Sequence, residues 1–272
     1  MDIGIVGLGL IGSSFARAVK KYTDHTVAGW DIDPNVLSAA LADKAVDVAG
    51  EEAASGCGIV LVCLFPGDAV RFIEDHEFPH IVCDVCGVKS FLADRLSGKV
   101  GGYVGLHPMA GREVSGYGAG SADLFRGASL IVAKDGHTKD AHIGEIRALA
   151  EKIGFGRIIE TDPKTHDRVI AYTSQLAHVV SSAYVKSAAA GEYVGYSAGS
   201  FADLTRVARL DPKMWTELFL ENKENLAAEI DNLMEHLAQY RDALKAEDAK
   251  VLSRLLGEGR DKKDMLDGLL KD

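Results

Sequence analysis

The sequence predicts an α/β domain with a doubly wound, mostly parallel sheet, followed by an all-α domain. Two observations lead to this prediction. Over residues 1–162, short apolar segments typical of buried strands alternate with helical segments, as in repeated βαβ units. From Pro163 onward helical periodicity continues and strand signals almost disappear. We therefore expect two domains, residues 1–162 and residues 163–272.

The predicted strands share an apolar run that ends at a turn residue. They cover residues 3–6, 26–30, 59–64, 81–85, 101–106, 129–133 and 157–160. In the second half, alanine-rich and amphipathic patterns predict helices over residues 165–190, 200–210 and from Asp211-Pro212 onward. These helices carry more apolar surface than a small domain buries alone, so we expect a homodimer formed through the helical domain.

A glycine-rich turn follows the first strand and precedes a helical segment. Gly7 allows a sharp turn, Gly9 lets the backbone approach a pyrophosphate, and Gly12 lets the helix pack closely on the sheet. The second strand ends at Asp31, where a carboxylate can accept hydrogen bonds from a ribose 2′-hydroxyl and would repel a 2′-phosphate. The sequence therefore predicts a Rossmann-type domain that binds NAD in preference to NADP.

Two alternatives to this cofactor site stay open. A glycine-rich turn also occurs in other α/β proteins, and Asp33 is a second candidate acid, although Asp33-Pro34 is typical of a helix start. The loop after the strand over residues 59–64 is expected to lie against the cofactor, because ligands bind at the carboxyl ends of such strands. The predicted cofactor-binding residues are Gly7, Leu8, Gly9, Leu10, Ile11, Gly12, Asp31, Leu64 and Pro66.

Composition limits the possible partners and the compartment. Forty acidic and thirty basic residues give a formal net charge of −10, which argues against nucleic acid and anionic membranes as partners. The chain has no apolar run of membrane-spanning length and no basic signal-peptide region, so we expect a cytoplasmic protein. Cys83 and Cys86 form a C-x-x-C without a second pair at zinc spacing; we expect buried thiols and no metal.

His107 is the candidate catalytic residue. It ends a predicted strand and precedes Pro108, which cannot continue a central strand, so the imidazole is expected at the edge where α/β sheets bind ligands. Oxidation of an alcohol needs a group that accepts the hydroxyl proton, and a histidine with a pKa near neutrality suits that task. The alternative is a histidine that lies on the surface or caps a helix.

Several segments resemble motifs of the prephenate dehydrogenase family, in the same order. They are GLHPMAG at residues 105–111, DVCGVK at 84–89, THD at 165–167, SQLAH at 174–178 and SFADLTR at 200–206, followed by Asp211-Pro212 and Trp215. The resemblance implies NAD-dependent oxidation of prephenate with loss of carbon dioxide. His107 would then accept the proton of the ring hydroxyl, and Arg206 would bind the side-chain carboxylate of this small dicarboxylate.

Other site residues follow from the resemblance or from position. Ser174 and His178 are four apart, so one helix face would present both, and Arg112 could pair with the second carboxylate. Two departures from the family are Gly87, where many relatives have a serine, and Ala202, where some have a basic residue. Each candidate also has a structural alternative. Arg206 could form an i,i+3 ion pair with Asp203, Ser174 and His178 could form a buried polar pair, and Arg112 could be an ordinary surface residue.

Three other functions remain open from the sequence. One is oxidation of arogenate, which has an amine in place of the keto group of prephenate. Another is a hydroxyacid or hydroxyacyl dehydrogenase of the same two-domain plan, which would use a lysine or a His/Glu pair in place of His107. The third is a non-catalytic NAD-binding sensor, which would have no use for His107 and Arg206 in one cleft.

Overall fold

The computed structural model describes residues 2–192 and 194–269. Its strands are β1 (Asp2–Val6), β2 (Thr26–Trp30), β3 (Val48–Ala49), β4 (Ile59–Val62), β5 (Ile81–Asp84), β6 (Tyr103–Pro108), β7 (Ser129–Ala133) and β8 (Arg157–Thr161). They form one sheet in the order β3-β2-β1-β4-β5-β6-β7-β8. Neighbouring strands are parallel except β6 and β7. The predicted doubly wound, mostly parallel sheet is confirmed.

Helices connect the strands and then continue without them. They are α1 (Leu10–Tyr22), α2 (Pro34–Ala42), α3 (Glu51–Ser55), α4 (Pro66–Asp75), α5 (Ser90–Leu96), α6 (Asp140–Lys152), α7 (Pro163–Ile170), α8 (Ala177–Tyr184), α9 (Gly199–Thr205), α10 (Pro212–Glu221), α11 (Lys223–Lys245) and α12 (Ala249–Leu269). After β8 the described residues form no further strand. The predicted helical second half is therefore confirmed.

The sheet is covered on both faces, which explains the continuous apolar character of its central strands. Successive residues of β4 alternate between two apolar clusters, with Ile59 and Leu61 in one and Val60 and Val62 in the other. The first cluster also contains apolar residues of α1 and α6, and the second contains apolar residues of α4 and α5. This double coverage is what a parallel sheet requires.

Several details differ from the sequence-based expectations, among them the helix expected over residues 200–210, which as α9 ends at Thr205. The two-residue strand β3 and the short helix α3 have too little periodicity to be predicted, and β6 extends through Pro108, whose missing N–H is tolerated at the strand end. The helix expected over residues 165–190 is instead α7 and α8, separated by a π-helical segment, Ala171–Leu176, and α8 ends at Tyr184. Segments of this kind occur frequently at functional sites.

By its contacts the chain divides into two compact units, one ending at Lys223 and the other beginning at Glu224. The first unit contains the whole sheet and the helices through α10. The boundary expected between residues 162 and 163 separates the mixed part from the all-helical part, and as a domain boundary it stays a prediction. Among the described residues, no helix is both long enough and apolar enough to span a membrane.

Candidate active site

The three glycines after β1 have three different environments. Gly7 has a φ of +85°, and its N–H donates to the carbonyl oxygen of Trp30 at 2.8 Å. A Cβ atom added to Gly12 would lie 1.8 Å from the carbonyl oxygen of Gly7, so α1 packs against the turn too closely for any side chain. A Cβ atom on Gly9 would meet no described atom within 4 Å. The turn therefore leaves open space at Gly9, beside the switch in strand order between β1 and β4.

Asp31, rather than Asp33, holds the acid position at the end of β2. Its carboxylate accepts hydrogen bonds from the N–H of Leu8 at 2.7 Å and from the N–H of Asp33 at 2.9 Å. Asp33 caps α2 by accepting from the N–H of Asn35 at 2.9 Å, which confirms the helix start predicted there. Among the described residues, no side chain caps the N-terminus of α1, so the free N–H groups of this helix can donate hydrogen bonds to phosphate oxygens.

The loop after β4 packs against the glycine turn, and we call the open space beside Gly9 the cofactor crevice. A Cβ atom on Gly7 would lie 2.8 Å from Cδ2 of Leu64 and 2.7 Å from the carbonyl oxygen of Cys63. Pro66 is buried at the first position of α4. The open space at Gly9, the uncapped helix and the carboxylate of Asp31 together fit NAD, and the predicted contacts of Leu64 and Pro66 with the cofactor remain predictions.

The environments of Gly9 and Gly12 predict that an alanine weakens cofactor binding at the first position and lowers stability at the second. Gly9→Ala is expected to change the free energy of unfolding by less than about 1 kcal/mol, because the new methyl group meets no described atom. The dissociation constant of the Gly9→Ala variant for NAD⁺ should rise by at least about tenfold, since the methyl group occupies the crevice. Gly12→Ala should instead lower the free energy of unfolding by about 3 kcal/mol. Calorimetric titration and denaturant unfolding test both; a Gly9→Ala variant that binds NAD⁺ normally would contradict the assignment of the crevice.

His107 lies at the carboxyl end of β6, as predicted, and is the first member of a hydrogen-bonded chain. Its Nδ1 lies 2.9 Å from Nε2 of His166, and Nδ1 of His166 lies 2.8 Å from Oδ1 of Asp167. A carboxylate only accepts hydrogen bonds, so His166 donates to Asp167 through Nδ1–H and accepts at Nε2 from His107 Nδ1–H. The Nε2 atom of His107 then carries a lone pair.

Asp167 anchors this chain in the interior. The backbone N–H groups of Lys89 and Ser90 each donate to its carboxylate at 2.8 Å, and Asn222 donates to its carbonyl oxygen at 2.9 Å. Burial acts to raise the pKa of Asp167, but the hydrogen bonds that His166, Ser90 and Lys89 donate to its carboxylate hold that pKa below its usual value. Burial lowers the pKa of His166, so a neutral imidazole stands between the carboxylate and His107.

A buried ion pair lies beneath the same site. The Lys89 ammonium group donates to the carboxylate of Asp84, which also accepts from the hydroxyl of Tyr103 at 2.8 Å. Burial, His166 and Lys89 together lower the pKa of His107 well below its usual value. His107 is therefore neutral at physiological pH and can accept a proton at Nε2.

Arg206 follows α9 and pairs with a residue of the loop after β6. Its Nη1 lies 2.5 Å from Oε1 of Glu113, in place of the alternative i,i+3 pair with Asp203. Both side chains are largely exposed, so the pair contributes little to stability and leaves the guanidinium accessible to a carboxylate ligand. Glu113 and Arg206 both influence the pKa of His178, which burial lowers. His178 also contacts the ring of Trp215, with centroids 4.0 Å apart.

The remaining predicted residues differ in how they are placed. Ser174 lies in the π-helical segment and is half-buried, and its backbone carbonyl oxygen accepts from Nδ1 of His178 at 2.8 Å. Arg112 is exposed and has no ion pair with any residue in the described ranges, so its role stays a prediction. A Cβ atom on Gly87 would lie 3.8 Å from His107 Nε2, while Ala202 is exposed on α9.

Sequence reasoning did not assign roles to His166, Asp167 and Glu113. The only signal for the first two was the segment THD at residues 165–167, which gives no indication that its histidine contacts a residue 59 positions earlier. Glu113 pairs with a residue 93 positions later. His107, Gly87 and His178 belong to the same compact unit. Helix α10 contacts this site at two points, because its Leu218 lies beside Gly87 and its Trp215 lies against His178. The structure thus places a neutral imidazole and an exposed guanidinium in one compact unit with the cofactor crevice.

Comparison with known proteins identifies similar sequences. Residues 15–160 match the family model described as prephenate dehydrogenase, nucleotide-binding domain, and residues 162–258 match the one described as prephenate dehydrogenase, dimerization domain. Cyclohexadienyl dehydrogenase of Zymomonas mobilis is 35% identical over 92% of this chain and 90% of that protein. Prephenate dehydrogenase of Bacillus subtilis is 28% identical over 96% of this chain and 75% of that protein.

Solved structures with the same fold cover almost the whole chain. One is prephenate dehydrogenase from A. aeolicus in complex with hydroxyphenyl propionate and NAD⁺, with a TM-score of 0.83, 26% identity and 98% coverage of each chain. Another is Synechocystis arogenate dehydrogenase, with a TM-score of 0.79, 25% identity, and coverage of 98% of this chain and 100% of that one.

Proposed function

The chain belongs to the prephenate dehydrogenase family, and we propose on this premise that it oxidises prephenate with loss of carbon dioxide to give 4-hydroxyphenylpyruvate. It is an NAD-dependent oxidoreductase. The observation that supports this reaction most strongly is the chain His107–His166–Asp167, which leaves a lone pair on Nε2 of His107 at the ligand-binding edge of the sheet.

The side chains of this site perform the proton transfer. NAD⁺, when bound, supplies the acceptor for the electron pair that leaves the hydroxyl-bearing carbon. His107 accepts the hydroxyl proton at Nε2, and the positive charge that develops on its ring is stabilised through His166 by the carboxylate of Asp167. Loss of the ring carboxylate as carbon dioxide makes the ring aromatic, which makes the reaction effectively irreversible.

The lowered pKa of His107 predicts the pH dependence of the reaction. A general base works only when deprotonated, so kcat/KM falls as the pH drops through the pKa of the free enzyme's base. Burial, His166 and Lys89 move that pKa well below 6.5, so kcat/KM is expected to stay constant down to about pH 6.5 and to fall only below it. Initial rates of NADH formation across this range test the expectation; a decline centred above pH 7 would contradict it.

Removal of Arg206 is expected to weaken substrate binding. A guanidinium–carboxylate contact contributes about 1.5–3 kcal/mol, so Arg206→Ala should raise KM for prephenate by at least about tenfold. Arg209 is an exposed arginine three residues later and supplies the matched control, because Arg209→Ala removes the same charge. Steady-state kinetics decide: equal KM values for the two variants would show that Arg206 does not bind the substrate.

The function itself is tested with purified protein, NAD⁺ and each candidate substrate. Prephenate is expected to produce NADH. Arogenate forms the second arm, because a relative is named cyclohexadienyl dehydrogenase and a similar structure is an arogenate dehydrogenase. Rapid NADH formation with arogenate alone would replace the proposed substrate. No NADH formation with either compound, despite NAD⁺ binding, would favour a non-catalytic sensor.

Assembly and location are part of the same proposal. We infer a homodimer formed through the helical part, because residues 162–258 match the dimerization domain of the family. Helices α11 and α12 also carry exposed apolar side chains, including Met234, Leu237, Leu244 and Leu256. A domain boundary between residues 162 and 163 agrees with the ends of the two family matches. The four free cysteines agree with a cytoplasmic location.

A further inference from the structure

Helix α10 contacts both sides of the active site. Its Trp215 stacks against His178, with ring centroids 4.0 Å apart. Its Leu218 lies 3.5 Å from the position of a Cβ atom on Gly87, beside the catalytic imidazole. Glu217, between these two residues, faces the cofactor side: its Oε1 accepts a hydrogen bond from the N–H of Gly67 at 2.5 Å.

The contact of Glu217 satisfies the N-terminus of α4. Phe65, at the N-cap position, provides no side-chain hydrogen bond, and Pro66 at the first helical position has no N–H. Gly67 therefore carries the first N–H of this helix, and it has no intrahelical partner. A carboxylate placed there gains a charge-assisted hydrogen bond and the favourable field of the helix dipole. A side chain from the helical part thus supplies the cap that the α/β part lacks.

The segment held in this way is the wall of the cofactor crevice. The cofactor loop, which we define as residues 63–67, runs from the end of β4 into the first turn of α4, and Cys63 and Leu64 lie directly against Gly7. On the strand side, the N–H of Cys63 donates to the carbonyl oxygen of Val6 at 2.7 Å. On the other side α10 holds the loop through Glu217, and the ammonium group of Lys213 lies 5.5 Å from the ring centroid of Phe65.

We propose that Glu217 is a positioning residue for the cofactor loop and thereby sets the affinity for NAD⁺. Within the described ranges, its hydrogen bond goes to Gly67 and not to His107 or to the residues proposed to bind substrate. Without its carboxylate, the N-terminus of α4 loses its partner, and NAD⁺ binding must order a loop that is otherwise held in place. The inference depends on NAD⁺ binding alone and not on which compound is oxidised.

The test is calorimetric titration of the full chain with NAD⁺ in the absence of substrate. Loss of a charge-assisted hydrogen bond changes an equilibrium constant by about tenfold or more. We therefore expect Glu217→Ala to raise the dissociation constant for NAD⁺ by about tenfold. Glu217→Gln keeps an acceptor oxygen and should weaken it by only about threefold. Glu221→Gln is the matched control, because it removes a carboxylate from the same helix; its NAD⁺ affinity should change by less than about twofold.

A second readout separates positioning from a general loss of structure. Binding of hydroxyphenyl propionate to the same variants is expected to be unchanged within about twofold. Unchanged NAD⁺ affinity in Glu217→Ala, or an equal loss in Glu221→Gln, would overturn the proposal. If Glu217→Ala does not fold, Glu217→Gln decides, and wild-type affinity in that variant would overturn it. The NAD⁺ titrations need neither turnover nor a substrate analogue, so a failure of the prephenate assay would leave them intact.

Discussion

Replacing His107 with asparagine is expected to lower kcat by about 10²–10⁴-fold, the usual contribution of a general base, while NAD⁺ still binds. The asparagine amide has no basic atom at the position of Nε2, but its nitrogen can take the position of Nδ1 and still donate toward His166. The cofactor crevice around Gly9 is formed by other residues and should be unaffected. Turnover of prephenate and calorimetric titration with NAD⁺ measure the two effects separately.

His137→Asn is the matched control for this substitution. His137 is exposed and follows β7, away from the carboxyl end of β6, so its variant should keep the full rate. A His107→Asn variant with undiminished kcat would remove His107 from the mechanism. Parallel loss of NAD⁺ binding would show instead that the substitution disrupts the crevice.

Replacing His166 with asparagine is expected to lower kcat by about 10²-fold, since a triad that loses the partner of its base loses the correct tautomer and orientation. The shorter amide does not reach the Nδ1–H of His107 and leaves Asp167 without its imidazole. Steady-state rates of NADH formation with prephenate measure the loss.

Recovery of activity by a longer amide distinguishes positioning from a general structural defect. His166→Gln supplies the conservative variant, because its longer amide can accept from His107 and donate toward Asp167, and it should recover part of the rate. A His166→Asn enzyme with the wild-type rate would contradict the role of the hydrogen-bonded chain.

The sheet and the glycine turn could be predicted because their signals are local. Buried strands give apolar runs, and the roles of Gly7, Gly9 and Gly12 follow from backbone geometry within a few residues. His107 could be placed at a strand end for the same reason, since the proline after it limits where the strand can continue. Local patterns therefore define the α/β part and the position of its base.

The partners of the site residues could not be predicted, because they come from distant segments. His166 approaches His107, and Glu113 rather than Asp203 pairs with Arg206, only once the helical segments have packed against the sheet. Periodicity identifies a helix but not the neighbour that its polar face will contact. The π-helical segment was missed for a related reason: it changes hydrogen bonding within an uninterrupted helical pattern.

The proposed site requires that Nε2 of His107 receive the proton while Arg206 holds the carboxylate of the same ligand. A crystal structure of this chain with NAD⁺ and hydroxyphenyl propionate tests it most directly. We predict the phenolic hydroxyl within about 3 Å of His107 Nε2 and the carboxylate on the guanidinium of Arg206. A ligand whose hydroxyl is bound by another residue, or whose carboxylate leaves the Arg206–Glu113 pair intact, would contradict the account.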